Sequence, residues 1–519
     1  MRTLFVISDL HLGGRPPGAD QGGKPAFRIN HAASHLAGFI DWVGAQPGEV
    51  ELVVNGDIVD FLAEDDAGPA LAWTASEEDA IARLDQVHSR TPEVFDSLRR
   101  LTAQGKRLTF LLGNHDGELS LPAVRRRLFG LLGSEPRFVF DGEAYVVGRV
   151  LIEHGNRYDR WNMLDYSGLR QERSMRSRGL PVDEAVRDDR YFTPPAGSRL
   201  VVDVMNHLKA RYRFIDLLKP ETAAVIPLLL ALEPELWSTL GRLLRSPGIF
   251  RRYAHDGLAQ PAVPKHSANM NQQGRKADLG ELLVDELGLA QAQLFVEEAD
   301  EAGRIRAVEL PLGVRDTILA AAAATRAAVQ QALDKADGMA ALLRIRKERL
   351  PQRRLRELHA ALVKLNERDG SFDTAREDAT YLDAAGATAA GGRFDVIVYG
   401  HTHLPKKIAL DPGWYVNTGT WCDVMRLPPD IARPFAEAGP ALEAFVAAVR
   451  DNDYDTYVRR YLSYARIDVD PTGAQPVAEP GLYSYCGPGL PAGPPLTPCA
   501  SNQTSGGSNA TVIRPHLPA

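Results

Sequence analysis

The chain has 519 residues, of which 44% are hydrophobic and 24% charged, the proportions of a globular protein with about two to four structural units. Its 60 basic and 67 acidic residues leave a net charge of −7, which excludes a chain built mainly to bind polyanions and an acidic tail protein. No apolar run approaches the ~20 residues of a membrane span, and three cysteines near the C-terminal end suggest no disulfide framework. We therefore expect a cytoplasmic location.

Short apolar strands alternate with helical patterns in the first 160 residues. Strands are predicted at 4–7, 52–54, 108–112 and 150–152. Between the first two, apolar residues recur at steps of three and four, which predicts a helix packed on a sheet; they are Ala33, Leu36, Phe39, Ile40 and Val43. The expected fold class is therefore α/β.

Helical patterns dominate from about residue 160 to 370 and include an Ala-rich segment at 319–341. Strand character returns at 394–399 and 414–416. We therefore expect one discontinuous domain formed by 1–160 and 390–466, interrupted by a helical insertion or cap at 161–389. Residues 467–519 are interpreted as a Pro/Gly/Ser-rich C-terminal tail, largely disordered from about 487.

Five predicted strands are each followed by residues that can bind a metal. An isolated motif of this kind is more often a turn, but five in succession favour a metal site at the carboxyl ends of the strands, where open α/β sheets bind ligands. Alternation along extended backbone would put Asp9 and His11 on one side of the chain, and His401 and His403 likewise. The motifs are Asp9/His11, Gly56-Asp57 with Asp60, Gly113-Asn114-His115-Asp116, His154 and Gly400-His401-Thr402-His403.

Together these motifs resemble the five-block signature of the calcineurin-like metallophosphoesterases. The resemblance implies a four-layer α/β/β/α sandwich, here with a large α-helical insertion, that holds two metal ions. One ion would be bound by Asp9, His11, Asp57 and His403, and the second by Asn114, His154 and His401, with Asp57 bridging. These ligand types suit Mn best, with Fe or Zn as alternatives.

The resemblance also implies hydrolysis of a phosphomonoester or phosphodiester. Two ions ~3.5 to 4 Å apart lower the pKa of a bridging water, so that hydroxide can attack phosphorus near neutral pH. His115, the motif residue without a metal role, would protonate the leaving oxygen, and Asp60 would orient it. The alternative for Asp60 is an ordinary carboxylate at a helix N-terminus.

The substrate class is less defined by the motifs. Asp60 is followed by Phe61-Leu62 instead of the Arg-Gly of protein Ser/Thr phosphatases, so a phosphoprotein is less expected. Ser8-Asp9-Leu10-His11-Leu12 is similar to the UDP-2,3-diacylglucosamine hydrolase branch, although His154-Gly155-Asn156 departs from its His-Gly-Asp. We expect a phosphorylated small molecule or nucleotide; the alternatives are a nucleotide-sugar or lipid pyrophosphatase and a nuclease, and the least expected is a non-catalytic scaffold.

Two basic segments offer candidate anion sites. Arg170, Arg173 and Arg176 recur every three residues and could clamp a substrate phosphate, or form a solvent-exposed helix face. The run at 344–356 could bind nucleic acid, which we do not favour, because basic helix faces are usually only solvated. The oligomeric state stays open.

Overall fold

The computed structural model describes residues 1–15, 28–63, 71–74, 76–159, 161–180 and 372–487, with scattered residues between 192 and 232 and between 355 and 363. The strands of this part are β1 Arg2–Ile7, β2 Val50–Asn55, β3 Arg107–Leu111, β4 Arg137–Val139, β5 Tyr145–Val147, β6 Val150–Ile152, β7 Val396–Tyr399, β8 Pro405–Ala409, β9 Trp414–Thr418, β10 Val424–Met425, β11 Val458–Arg459, β12 Ser463–Val469 and β13 Gly481–Ser484. The α-helices are α1 Ala33–Gly44, α2 Glu77–Arg90, α3 Pro92–Ala103, α4 Pro122–Leu132, α5 Tyr166–Ser177, α6 Asn206–Lys209, α7 Ala379–Ala390 and α8 Phe435–Asp451.

Two mixed sheets form the centre of the fold. The first has the strand order β13-β12-β1-β2-β3-β4. Strands β1 to β4 run parallel to one another, and β12 runs antiparallel to both of its neighbours, β1 and β13. The second has the order β5-β6-β7-β9-β8, with β6, β7 and β9 parallel. The six strands predicted from the sequence are β1, β2, β3, β6, β7 and β9.

The sheets face each other across an apolar layer that includes Val6 and Val53 from the first and Val398 and Val416 from the second. Helices α1 to α4 cover the outer face of the first sheet, and α7 packs on the outer face of the second. This is the expected four-layer α/β/β/α sandwich. The predicted apolar face of α1 is buried, and each fully buried aliphatic or aromatic side chain there contributes ~1.5 to 3 kcal/mol.

The C-terminal boundary of the first sheet differs from the prediction. Strand β12 pairs antiparallel with β1, with Val469 opposite Arg2 and Ala465 opposite Val6. Its inward side chains, Ala465, Ile467 and Val469, are buried, whereas Arg466 is exposed, the alternation of a half-buried strand. Placing the tail at 467 was therefore wrong for residues 467–487, because β12 and β13 extend the sheet through this region.

The contacts of the described residues also disagree with the predicted insertion boundaries, which are 161 and 389. Tyr166 and Leu169 of α5 are buried in the helical core of the first sheet, and Ala385 of α7 is packed with Tyr399 of β7. Both helices therefore belong to the sandwich. The predicted segment at 319–341 and most of the basic run at 344–356 lie outside the described residues.

Two other findings concern the sequence expectations. Cys422 is a buried free thiol and Cys486 is disulfide-bonded, where the sequence suggested no disulfide framework. Among the helices that the structure describes, none has the length and apolarity needed to cross a membrane.

Candidate metal centre

All five motifs lie at one rim, because β1, β2, β3, β6 and β7 end there. Backbone hydrogen bonds join the loops that follow these strands. The amide of His11 donates to the carbonyl of Asp57 at 2.9 Å, and the amide of Gly400 donates to the carbonyl of His154 at 2.9 Å. Side chains that are hundreds of residues apart in sequence are thereby held against one another.

The first group of candidate ligands comprises Asp9, His11, Asp57 and His403, whose ligand atoms lie within 4.8 Å of one another. Nε2 of His11 is 3.0 Å from Nε2 of His403, which is 3.3 Å from Oδ1 of Asp9. All four residues are buried. Two carboxylates and two imidazoles thus converge on one point, as expected for a cation site with oxygen and nitrogen ligands.

The second group comprises Asp57, His154 and His401. Asn114 belongs to the same rim, and its buried Oδ1 has no hydrogen-bond partner among the described residues. Nε2 of His154 and Oδ1 of Asp9 also make no hydrogen bond there, although they lie 3.2 Å from Asp57 and 3.3 Å from His403, respectively. A buried polar atom without a partner costs ~1 to 3 kcal/mol. A bound cation would satisfy these atoms, so the donor set fits the two ions that the fold implies.

Asp57 is common to both groups. Its Oδ2 is 3.7 Å from Nε2 of His11 and 3.2 Å from Nε2 of His154, while its Oδ1 accepts a hydrogen bond from the amide of His115 at 2.8 Å. Burial alone would raise the pKa of Asp57, but His154 and the neighbouring imidazoles hold it well below the usual range. The carboxylate thus lies between the two groups of candidate ligands, the position expected of a bridging ligand.

Both histidines of the second group are oriented by hydrogen bonds through their other ring nitrogen. Nδ1 of His154 donates to the carbonyl of Asn55 at 2.7 Å, which directs Nε2 toward Asp57. Burial disfavours its imidazolium, but the Asp57 carboxylate outweighs burial and raises the pKa of His154 to about 10. Nε2 of His401 lies 3.0 Å from Oδ2 of Asp159, leaving Nδ1 for a metal. Such outer contacts typically fix the ring orientation of metal-binding histidines.

His115 and Asp60 form a second layer beside the first group. Nδ1 of His115 is 3.3 Å from one oxygen of Asp60, and Nδ1 of His11 is 3.2 Å from the other. Burial opposes ionisation of Asp60, but His115 and His11 hold its pKa far below the usual range. Asp60 also accepts a hydrogen bond from the amide of Leu62 in the short helix Phe61–Ala63. The alternative role of Asp60, that of a carboxylate at a helix N-terminus, is therefore also present in the structure.

Several candidate ligands have left-handed backbone, which corrects the expectation of extended alternation. The φ angles are +54° for Asp9, +40° for His11, +50° for Asp57, +69° for His401 and +63° for His403. Such angles in non-glycine residues cost roughly 1 to 3 kcal/mol each and cluster at functional sites. The paired ligands therefore converge through tight turns instead of a straight strand.

The motif glycines allow close approach. A Cβ at Gly113 would lie 2.1 Å from Oδ1 of Asp57, and one at Gly56 would lie 2.4 Å from Nδ1 of His154. A Cβ at Gly400 would lie 2.8 Å from Oδ2 of Asp9. Each distance is below van der Waals contact, so the glycines are required by the ligand positions and not only by the turns.

Asp116 and Asp159 were not assigned roles from the sequence. Asp116 accepts from the amides of Gly113 and Ile58, both at 2.7 Å, and so ties the loop after β3 to the loop after β2. Burial, followed by the charge of Asp57, raises its pKa to about 8. Asp116 could have been found from the sequence, because it belongs to the motif that follows β3. No spacing or composition pattern in the sequence indicates Asp159.

The three candidate arginines lie on α5 and contact the protein itself. Arg173 is 2.7 Å from Asp141 and lies over the ring of Phe140. Arg176 is 2.9 Å from the buried Glu172. A substrate phosphate would have to compete with these carboxylates for the guanidinium groups. The proposed phosphate clamp of Arg170, Arg173 and Arg176 stays a prediction.

The fold and the two groups of candidate ligands are those expected of a domain that holds a binuclear metal centre. Residues 2–237 match the family described as calcineurin-like phosphoesterase. This part of the chain therefore belongs to the calcineurin-like phosphoesterases, and the protein is a hydrolase that acts on phosphoester bonds. His401 and His403 lie beyond the matched residues, yet β7 brings them to the same rim. A comparison with curated proteins finds no match.

Proposed function

We propose that the protein hydrolyses a phosphomonoester or phosphodiester with two divalent metal ions, Mn being the preferred metal. Asp9, His11, Asp57 and His403 would hold one ion, and Asp57, Asn114, His154 and His401 the other. The observation that carries the proposal is the position of the Asp57 carboxylate, whose Oδ2 lies within 3.7 Å of a nitrogen from each group.

When bound, two such ions activate a water molecule and neutralise charge on the phosphoryl group. The chain's own residues supply the proton. His115 has a side chain that is 21% exposed, in contrast to the 2% of His11, so it can meet a substrate at the rim. Asp60 fixes Nδ1 of His115, which leaves Nε2 to protonate the departing oxygen. The ionised Asp60 also stabilises the imidazolium form of His115.

The substrate that we propose is a phosphorylated small molecule or nucleotide. The residues after Asp60 lack the arginine of protein phosphatases, which supports this class over phosphoproteins. The cytoplasmic location stays a prediction.

The proposal is tested with metal-stripped protein reconstituted with Mn, Fe or Zn and assayed on monoesters, diesters and pyrophosphate esters. We expect turnover only after reconstitution. Asp57→Asn should lose both ions by elemental analysis and lose turnover, whereas Asp96→Asn, at an exposed helix position, should behave as wild type. Undiminished turnover in the metal-free protein, or full metal content in Asp57→Asn, would contradict the proposal.

A further inference from the structure

Asn417 lies in strand β9, beside the start of the loop that carries His401 and His403. In the sheet it pairs with Tyr399, the last residue of β7, and on the other side with Lys406 of β8. Asn417 is fully buried. Because strands on both sides fix its backbone, Asn417 is a rigid base for any loop that its side chain contacts.

The carboxamide of Asn417 makes hydrogen bonds in two directions. Its Nδ2 donates to the carbonyl of Gly400 at 2.7 Å and to Oγ1 of Thr402 at 3.0 Å. Its Oδ1 accepts from the backbone amide of Gly419 at 3.0 Å. A carbonyl only accepts and a backbone N–H only donates, so these partners determine which end of the carboxamide faces the loop. A side chain of the same shape without the NH₂ group would leave the loop without this donor.

The loop that Nδ2 contacts has an unfavourable backbone conformation. The φ angles of His401 and His403 are +69° and +63°. Such angles in residues with a Cβ persist only where the surrounding contacts hold them. Within the loop, the amide of Thr402 donates to the carbonyl of Gly400 at 2.8 Å. Asn417 contacts these same two residues, which flank His401, and so holds the turn from outside the loop.

The two histidines of this loop belong to different groups of candidate ligands. His403 is a member of the first group and His401 a member of the second. Only Thr402 separates them in the chain, so a shift of the loop displaces one ligand of each group. The contact of Asp159 is different, because it reaches the imidazole of His401 and thereby the second group.

We propose that Asn417 is a positioning residue for both metal ions, because its carboxamide holds His401 and His403 in place through the loop between them. The inference rests on the proposed function, since it assumes that the two ligand groups bind ions. Asn417 acts through the two histidines. Its removal should therefore lower the affinity for both ions together, whereas a change at one histidine should affect one ion.

The alternative is an ordinary turn, in which the side-chain oxygen of an Asn accepts from the backbone amide two residues further on. The hydrogen bond from Gly419 fits that description. This alternative needs only Oδ1 of Asn417, whereas the proposal depends on Nδ2 and its two acceptors. The two interpretations therefore differ in what they expect when an acceptor in the loop is removed.

The experiment measures the affinity of the full-length protein for both Mn²⁺ ions by competition with a chromophoric chelator. Asn417→Ala should weaken both ions about 10- to 100-fold, the usual effect of removing an outer contact of metal ligands. Thr402→Val removes one acceptor and leaves the turn at Gly419 intact. It should weaken both ions about fivefold, which corresponds to the loss of one hydrogen bond. Excess Mn²⁺ should restore full occupancy in both variants.

Each variant has a matched control. Leu128→Ala, at a buried position of α4, should destabilise the fold without a change in either ligand loop. Thr388→Val removes a part-buried hydroxyl that donates to a carbonyl within α7. Both controls should bind Mn²⁺ as the wild type does. Urea unfolding of the metal-free proteins measures the loss of stability in every variant, so that metal affinity is compared at matched stability.

The inference is overturned if Thr402→Val binds both ions as tightly as the wild type, or if either variant weakens only one ion. It is also overturned if Leu128→Ala weakens binding as much as Asn417→Ala. If Asn417→Ala does not fold, Thr402→Val decides alone, because Thr402 is partly exposed. Failure of the proposed function would appear separately, as a wild type that binds no Mn²⁺ and hydrolyses no ester after reconstitution.

Discussion

The Asp159 carboxylate lies 3.0 Å from Nε2 of His401, and this contact determines which ring nitrogen of His401 can face the second ligand group. Asp159 is itself fixed by the backbone amide of Trp161 at 2.8 Å and by the side-chain amide of Asn162 at 2.7 Å. Its pKa is lowered despite burial, mainly through the hydrogen bond with His401. A carboxylate that follows the fourth motif thus orients a ligand of the fifth.

Asp159→Ala should therefore weaken binding of one of the two ions about 10- to 100-fold, the usual effect of removing an outer partner of a metal-binding histidine. Asp159→Asn keeps an acceptor for the imidazole and should lose less. Competition titration with a chromophoric chelator measures both variants. If Asp159→Ala bound both ions as tightly as the wild type does, His401 would need no such support.

Gly113→Ala should abolish metal binding, because its Cβ would overlap the Asp57 carboxylate. The matched control is Gly130→Ala in α4, where an added Cβ meets no atom within 4 Å. That variant should keep its metal and gain up to ~1 kcal/mol in free energy of unfolding from helix propensity. Elemental analysis and denaturant unfolding test the pair. Normal metal content in Gly113→Ala would mean that the loop after β3 can move away from Asp57 at little cost.

His115→Ala should retain both ions while losing ~10²- to 10⁴-fold in kcat for esters with poor leaving groups. Esters of nitrophenol should be affected far less, because nitrophenolate departs without a proton. The measurement is a plot of rate against leaving-group pKa for wild type and variant. Parallel plots would assign His115 to substrate binding and not to proton donation.

Glu118 should make the fold less stable as the pH rises. It is buried beside the backbone amide of Thr74, from which it accepts a hydrogen bond at 2.9 Å, and burial raises its pKa to about 7. The unfolded chain releases this proton at lower pH than the folded chain, so stability is lost between about pH 4.5 and 7. The loss is on the order of 3 kcal/mol.

Glu118→Gln keeps the acceptor for Thr74 and removes the titration. The variant and wild type should therefore unfold with similar free energies near pH 4.5, and the variant should be the more stable at pH 8. Urea unfolding at both pH values, with the same metal content, measures the difference. An identical pH slope in the two proteins would show that Glu118 is ionised in the folded state.

The strand-end motifs were readable from sequence because each combines an apolar run with a glycine or a polar ligand type. The backbone conformation of the candidate ligands was not readable in this way. Alternation predicts extended backbone, whereas His11 and His403 adopt positive φ, and the amide of His11 donates to the carbonyl of Asp57 in a neighbouring loop. Asp159 was missed for a related reason. Its partner, His401, is distant in sequence, and only the assembled fold shows that the two side chains meet.

The pairing of β1 with β12 has a consequence for synthesis of the chain. Strand β1 is made before both of its partners. On one side β2 follows within about fifty residues, but on the other side β12 begins only at Ser463. Until the ribosome has released that segment, β1 has an unpaired edge of apolar sequence, which is a template for pairing with other chains. The nascent protein therefore needs its C-terminal strands for protection against aggregation before it needs them for activity. Chains that end before residue 463 should accumulate in inclusion bodies even though every candidate metal ligand is present.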